Sequence, residues 1–163
     1  YPLPEAQLDR FMLKLLLTYP TADEELRIAQ RVSQEKMTPL KSMVSQDELY
    51  RMRQEVKQIH CDEEVERYCI QLVLSTRKPE MAGAFHLTQL IQYGASPRAS
   101  IDLLKASKAM AYIEGSSYVT PVHIAKIAKE IMRHRISLTY DALSQEITTD
   151  TVIETLLQHV PLP

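Results

Sequence analysis

The octet Tyr93-Gly94-Ala95-Ser96-Pro97-Arg98-Ala99-Ser100 places an arginine in the first turn of a helix. Ser96 is a good N-cap, Pro97 suits the first helical position, where its missing N–H costs nothing, and Gly94 can adopt backbone angles that end a preceding helix. A cation there runs against the macrodipole, since the exposed N–H groups favour anions. The same arrangement is well built to meet a phosphate, because backbone donors and a guanidinium fork point the same way. The plain alternative is a solvated arginine on an ordinary helix. A second arginine, Arg10, follows an acid in Leu8-Asp9-Arg10-Phe11. Taken by itself it reads as one half of a salt bridge to a nearby carboxylate.

The chain around these arginines has 163 residues, 45% of them hydrophobic and 25% charged, with Gly at three positions. That suits one domain with a real core and favours helices over a loop-rich scaffold. Nineteen basic residues against twenty-one acidic give a formal charge of −2, which argues against a general binder of nucleic acid or anionic membranes. No apolar run has the length of a membrane span, and Phe11–Leu17, interrupted by Lys14, is too short for a signal-peptide core. A cytoplasmic protein is expected. Cys61 and Cys69 are unpatterned and read as free thiols. His60, Cys61 and Glu64 lack a second cluster at zinc-like spacing, so no metal site is expected.

In chain order, Leu3 to Arg10 has the composition of a short helix, and Phe11–Leu17 is an apolar run that periodicity cannot assign to helix or strand. Thr21-x-x-Glu24 is a capping box opening a helix to about Lys36, with Leu26, Ala29, Val32 and Ile28 as its buried stripe. Met37-Thr38-Pro39-Leu40 ends it. Ser45-x-x-Glu48 opens a second helix to about Ile59, in which Leu49, Met52, Val56 and Ile59 read as core. Asp62 can cap a third helix, Glu63 to about Arg77, burying Val65, Cys69, Leu72 and Val73. Lys78 to His86 is the least patterned stretch. The helix opened by Ser96 carries one apolar stripe through Ala99, Leu103, Ala106, Ala109, Met110 and Ile113, and Gly115 is placed to terminate it. Thr120-Pro121 repeats the cap-then-proline start, with His123 where a capping-box glutamate would be better. On that helix Lys126, Lys129 and Arg133 form a basic stripe, which reads as a solvated face ahead of a phosphate- or partner-binding one. Ser137 to Ser144 is extended or loop. Thr149 can cap a final helix from Asp150 to His159.

Three patches, in order along the chain, resemble the MoxR branch of AAA+ ATPases. Tyr1-Pro2-Leu3-Pro4-Glu5-Ala6-Gln7-Leu8-Asp9-Arg10-Phe11 resembles the signature that follows the sensor 1 strand of that family. Gly94-Ala95-Ser96-Pro97-Arg98-Ala99 resembles its GASPRA segment. Tyr118-Val119-Thr120-Pro121 running to Arg133-His134-Arg135-Ile136 is similar to its closing motif. The resemblance implies an all-α fold: a helical lid over residues 21–163, preceded in residues 1–20 by a remnant of the α/β core, a helix plus a possible strand at Phe11–Leu17. It implies that Arg10 is an arginine finger reaching the γ-phosphate bound by an adjacent subunit, and that Arg98 is the sensor 2 arginine.

An ATPase of this kind needs a G-x-x-x-x-G-K-[ST] loop and a strand ending in acids for Mg²⁺. Neither is present in these 163 residues. The chain is therefore expected to be a piece of a longer protein, binding no nucleotide competently by itself, while the intact parent uses ATP and Mg. The resemblance further implies a homo-oligomeric ring, a hexamer, with chaperone-like work on protein complexes and partners bearing von Willebrand factor A domains. A helical protein-interaction or nucleic-acid-binding module, using the Lys126–Arg135 stripe, is the competing reading. The low net charge and the absence of interleaved aromatics weigh against nucleic acid.

Overall fold

The computed structural model describes residues 3–33 and 41–163. Tyr1 and Pro2 of the first motif, and the helix end expected at Met37-Thr38-Pro39-Leu40, lie outside the described residues. The chain divides into two compact units, Leu15–Arg53 and a larger one that joins Tyr1–Lys14 to Gln54–Pro163.

The smaller unit contains α2 (Ala22–Ser33) and most of α3 (Gln46–Gln58), and both expected capping boxes form. Glu24 accepts from the Thr21 amide at 2.8 Å, and Glu48 accepts from the Ser45 amide at 2.8 Å. Of the buried stripes expected on these two helices, only Ile59, just past α3, joins the core. Leu26, Ile28 and Val32 of α2 are exposed, as is Leu49 of α3, while Met52 and Val56 are half-buried. Periodicity identifies the apolar face of a helix but says nothing about what covers it.

The larger unit is a helical bundle, as the sequence predicts. Its core is built by α4 (Glu63–Ser75), α5 (Pro97–Ile113), α6 (Pro121–Met132) and α8 (Thr149–His159), which bury Leu72, Leu103, Ile124, Ile131, Met132, Ile153 and Leu156. On α5 the buried face runs through Ala99, Leu103, Ala106, Ser107 and Ala111, so small side chains let neighbouring helices approach closely. Ile113, expected on that face, is exposed. Ser107 satisfies its buried hydroxyl by donating to the Leu103 carbonyl at 2.7 Å. Gly115 closes α5 with φ +72°, a conformation that penalises any side chain. Cys69 is a buried apolar residue whose thiol pKa is pushed up to about 12 by burial.

Three helix starts differ in detail from expectation, among them α8, which is capped by Thr148, accepting from the Thr151 amide at 3.1 Å, and not by Thr149. Asp62 precedes α4 but makes no capping bond, since its carboxylate accepts from His60 Nε2 at 2.8 Å. His123 does fill the capping-box position of α6, accepting from the Thr120 amide on Nδ1 at 2.9 Å. The unpatterned stretch becomes two 3₁₀ turns, Pro79–Ala82 and Phe85–Gln89.

Two short strands place the site. The first is not expected from the pattern, and the second begins the stretch expected to be extended or loop, whose later part, Tyr140–Ser144, is instead helical. β1 (Ile91–Tyr93) leads into α5, and β2 (Ser137–Leu138) follows α6; after β2 come the short α7 (Tyr140–Ser144) and α8. They pair antiparallel, Ile91 with Leu138 and Tyr93 with Ser137, across an irregular register in which two steps on β1 oppose one on β2. Pairing Tyr93 with Ser137 brings the residues just before β2 alongside the start of α5. Gly94 therefore ends no helix. Its role is close approach: a Cβ there would lie 2.4 Å from the Thr76 carbonyl oxygen at the end of α4. The next residue is fixed at the same point, with the Ala95 amide donating to Thr76 Oγ1 at 2.9 Å and Arg77 Nε donating to the Ala95 carbonyl at 2.6 Å.

Gly94→Ala should therefore destabilise the bundle by about 1–3 kcal/mol, the usual cost of overpacking. Chemical denaturation of wild type and variant measures it, and an unchanged midpoint would refute the close-approach role.

Candidate functional site

Ser96 caps α5 as expected. Its hydroxyl accepts from the Arg98 amide at 3.2 Å, and Pro97 takes the first helical position. Arg98 is half-exposed at this helix start, and its guanidinium lies 3.8 Å from the Asp9 carboxylate. Asp9 is thus the anion that the α5 N-terminus calls for. It comes from the far end of the sequence, at the close of α1 (Glu5–Leu8), and Ser96 Oγ donates to its two oxygens at 2.9 and 3.0 Å.

Arg10 follows immediately. Its side chain is exposed and has no hydrogen bond or ion pair among the described residues. The structure thus gives Arg10 no salt bridge to a nearby carboxylate. It is Asp9 that is engaged, by Ser96, Arg98 and Arg135.

The segment bearing Asp9 and Arg10 is held by three consecutive residues at the end of α6. Arg133 Nη1 donates to the Lys14 carbonyl at 2.9 Å, His134 Nε2 donates to the Phe11 carbonyl at 2.9 Å, and Arg135 Nη2 donates to the carbonyls of Phe11 at 2.7 Å and Asp9 at 3.2 Å. The Lys14 amide adds a bond to the Glu130 carbonyl at 2.8 Å. Phe11–Leu17 forms neither strand nor helix, so the possible strand that the resemblance implies is not present.

Arg135 is the most deeply placed of the three. Its side chain is fully buried, with Nη2 2.7 Å from Asp102 of α5 and Nε 3.5 Å from Asp9. Asp9, Ser96, His134, Arg135 and Ser137 line a cavity of about 220 Å³. Sequence reasoning singled out Arg10 and Arg98 but missed Asp9, Asp102 and Arg135 as the groups joining their segments. The one available signal was that Asp9 and Arg135 sit inside motifs already recognised.

The basic stripe of α6 proves to be neutralised. Lys126 pairs with Glu114 at 2.7 Å, Lys129 pairs with Glu154, and the buried Arg133 grips Asp150 through Nε and Nη2 at 2.9 and 3.0 Å. The solvated face holds at Lys126 and Lys129, whose partly exposed ammonium groups are paired, and fails at Arg133, which is buried. Among the described residues no group of His, Cys, Asp and Glu is placed to hold a metal ion, and no helix is long and apolar enough to cross a membrane.

The protonated form of His134 is disfavoured. Burial lowers its pKa below the ordinary 6.5, and the Arg135 and Lys14 charges lower it further, against the opposing bond to Phe11 and the charge of Asp9. The unfolded chain takes up this proton near 6.5 while the folded chain does so only at lower pH, so the folded state loses stability as pH falls from about 6.5 towards the folded value. His134→Gln retains an N–H donor without the titration. Its thermal midpoint should fall less than that of wild type between about pH 7.5 and pH 5, and equal slopes would contradict the assignment.

Comparison with known proteins gives this arrangement a family. The AAA lid domain model matches residues 84–156. The chain is 38% identical over 165 residues to the chaperone MoxR1 of Mycobacterium tuberculosis, covering 100% of this chain and 43% of that protein. It is 28% identical over 176 residues to protein MoxR of Paracoccus denitrificans, covering 100% of this chain and 52% of that one. A crystal structure of a protein described as an ATPase from Cytophaga hutchinsonii superposes with a TM-score of 0.94 at 40% identity, covering 100% of this chain and 50% of that chain. The chain thus spans about half the length of the relatives it matches. A likeness this close in fold, running through the whole chain and both arginine segments, makes it a member of the MoxR family of AAA+ ATPases.

Proposed function

We propose that this chain is the nucleotide-responsive lid of a MoxR-type, chaperone-like ATPase, coupling ATP binding and hydrolysis in the intact protein to movement of the helical bundle. The observation that carries this reading is the placement of Arg98. It stands half-exposed on a capped helix start, where backbone N–H groups and a guanidinium face the same way, and its ion pair with Asp9 is long enough to be exchanged for a stronger one.

These residues fit a phosphate. Arg98 and Arg10 are the groups that would hold the terminal phosphate, Arg98 as sensor 2 and Arg10 as the finger reaching a neighbouring subunit's site. Bound ATP with Mg²⁺ supplies the phosphoryl group and part of the charge compensation. The chain's own contribution is the positioning of two cations that neutralise charge developing on the transferred oxygens. A contact that exists only while the phosphate is in place also converts its loss into lid motion. The working unit in this reading is a homo-oligomeric ring, such as a hexamer, acting on protein complexes, with von Willebrand factor A domain proteins as candidate partners. This stretch without the rest of the ATPase is inactive.

The test is ATP turnover by the full-length protein carrying Arg98→Ala or Arg10→Ala, with ring assembly checked alongside. Loss of a true finger costs about 10³–10⁵ in rate, so turnover should fall steeply with the ring intact. Wild-type turnover in both variants would remove the arginines from the chemistry and leave a helical interaction module.

A further inference from the structure

The two arginine segments are joined by one carboxylate. Asp9 accepts from Ser96 Oγ at 2.9 and 3.0 Å, lies 3.8 Å from the Arg98 guanidinium, and lies 3.5 Å from Arg135 Nε. It is also the residue covalently next to Arg10. The Asp9 backbone is fixed as well, since its carbonyl accepts from Arg135 Nη2 at 3.2 Å. Arg135 is in turn anchored on Asp102, one helical turn beyond Arg98 on α5. Asp9 therefore meets the start of α5 in two ways, through the cap residue and through the arginine that follows it.

We propose that Asp9 is a positioning residue that couples Arg98 to Arg10. With no phosphate engaged, Asp9 holds the Arg98 guanidinium at the helix start. When Arg98 turns to a phosphate, Asp9 loses that partner, keeps Ser96 and Arg135, and the change is felt one residue away at the base of Arg10. The physics is an exchange of ion-pair partners. A half-exposed contact at 3.8 Å is weak, and a charge-assisted bond to phosphate oxygens is shorter and stronger. Coupling travels only as far as the next peptide unit, so no longer relay is needed. Asp9 touches none of the reacting atoms and acts through the two arginines. The inference rests on the reading that Arg98 and Arg10 serve ATP turnover.

A double-mutant cycle on the full-length ATPase tests it. Asp9→Asn is isosteric, and its side chain is about a quarter exposed, so it preserves packing and leaves an amide that can still bond Ser96. Ring assembly and the thermal midpoint are checked for each variant. In the wild-type background Asp9→Asn should lower kcat about tenfold with KM nearly unchanged, because engagement of Arg98 no longer reaches the position of Arg10. In the Arg98→Ala background it should lower kcat by less than about twofold, because the group through which it acts is gone. The proposal is overturned if Arg98→Ala slows turnover while Asp9→Asn does not. It is equally overturned if Asp9→Asn has the same effect in both backgrounds, which is what a purely structural role gives. If neither Arg98→Ala nor Arg10→Ala alters turnover, the underlying reading fails first, and the coupling fails with it.

Discussion

The guanidinium of Arg135 is buried without any exposed side-chain surface, and the arrangement of the site follows from how that charge is met. A buried cation is tolerated only when paired and hydrogen-bonded, and breaking such a pairing commonly costs about 3–5 kcal/mol. Arg135 draws its partners from two distant parts of the chain: Asp102 on α5, and the carbonyls and carboxylate of the segment at Asp9 and Phe11. Among the described residues its hydrogen bonds all run through Nη2, while Nε and Nη1 are buried without a hydrogen-bond partner, and those Nη2 bonds fix the N-terminal segment against the helix that bears Arg98.

Its neighbours share the task. Arg133 and His134 bond the carbonyls of Lys14 and Phe11, so three successive side chains meet backbone groups that would otherwise seek a sheet. The β1–β2 ribbon delivers these residues to the right place, since β2 begins two residues after Arg135 and pairs with the strand leading into Gly94. Gly94 then lets the chain pass against the end of α4 closely enough for Ala95 to be bonded on both sides. The helices supply rigidity, and the short irregular pieces supply placement.

Much of this was legible from local chemistry. The caps at Thr21, Ser45, Ser96 and Thr120 depend on neighbouring residues, and all four form. The core face of α4 and most of that of α5 followed from helical spacing. What was not legible depends on partners far away in sequence. Ser96 and Asp9 are 87 positions apart, and Arg135 and Asp102 are 33 apart, so nothing local marks them as joined. The acidic partners of the α6 basic stripe, and the burial of Arg133, were missed for the same reason, because Glu114, Glu154 and Asp150 lie on other elements or at their ends. The stripe of α2 was correctly seen as apolar and wrongly taken as buried, and that of α3 is buried only at its end, at Ile59, since covering a face is a property of the assembly of elements. The possible strand at Phe11–Leu17 came from family likeness, and here the side chains of Arg133, His134 and Arg135 bond the carbonyls of Phe11 and Lys14.

The central claim is that the start of α5 and the segment of Asp9 and Arg10 respond together in the proposed ATPase. Amide hydrogen exchange on the full-length protein, with and without a non-hydrolysable ATP analogue, addresses it most directly. The account predicts that the analogue changes protection at the amides following Ser96 and, in parallel, at residues 9–14, including the Lys14 amide bonded to Glu130. A change confined to the start of α5, or no change at either place, would contradict it.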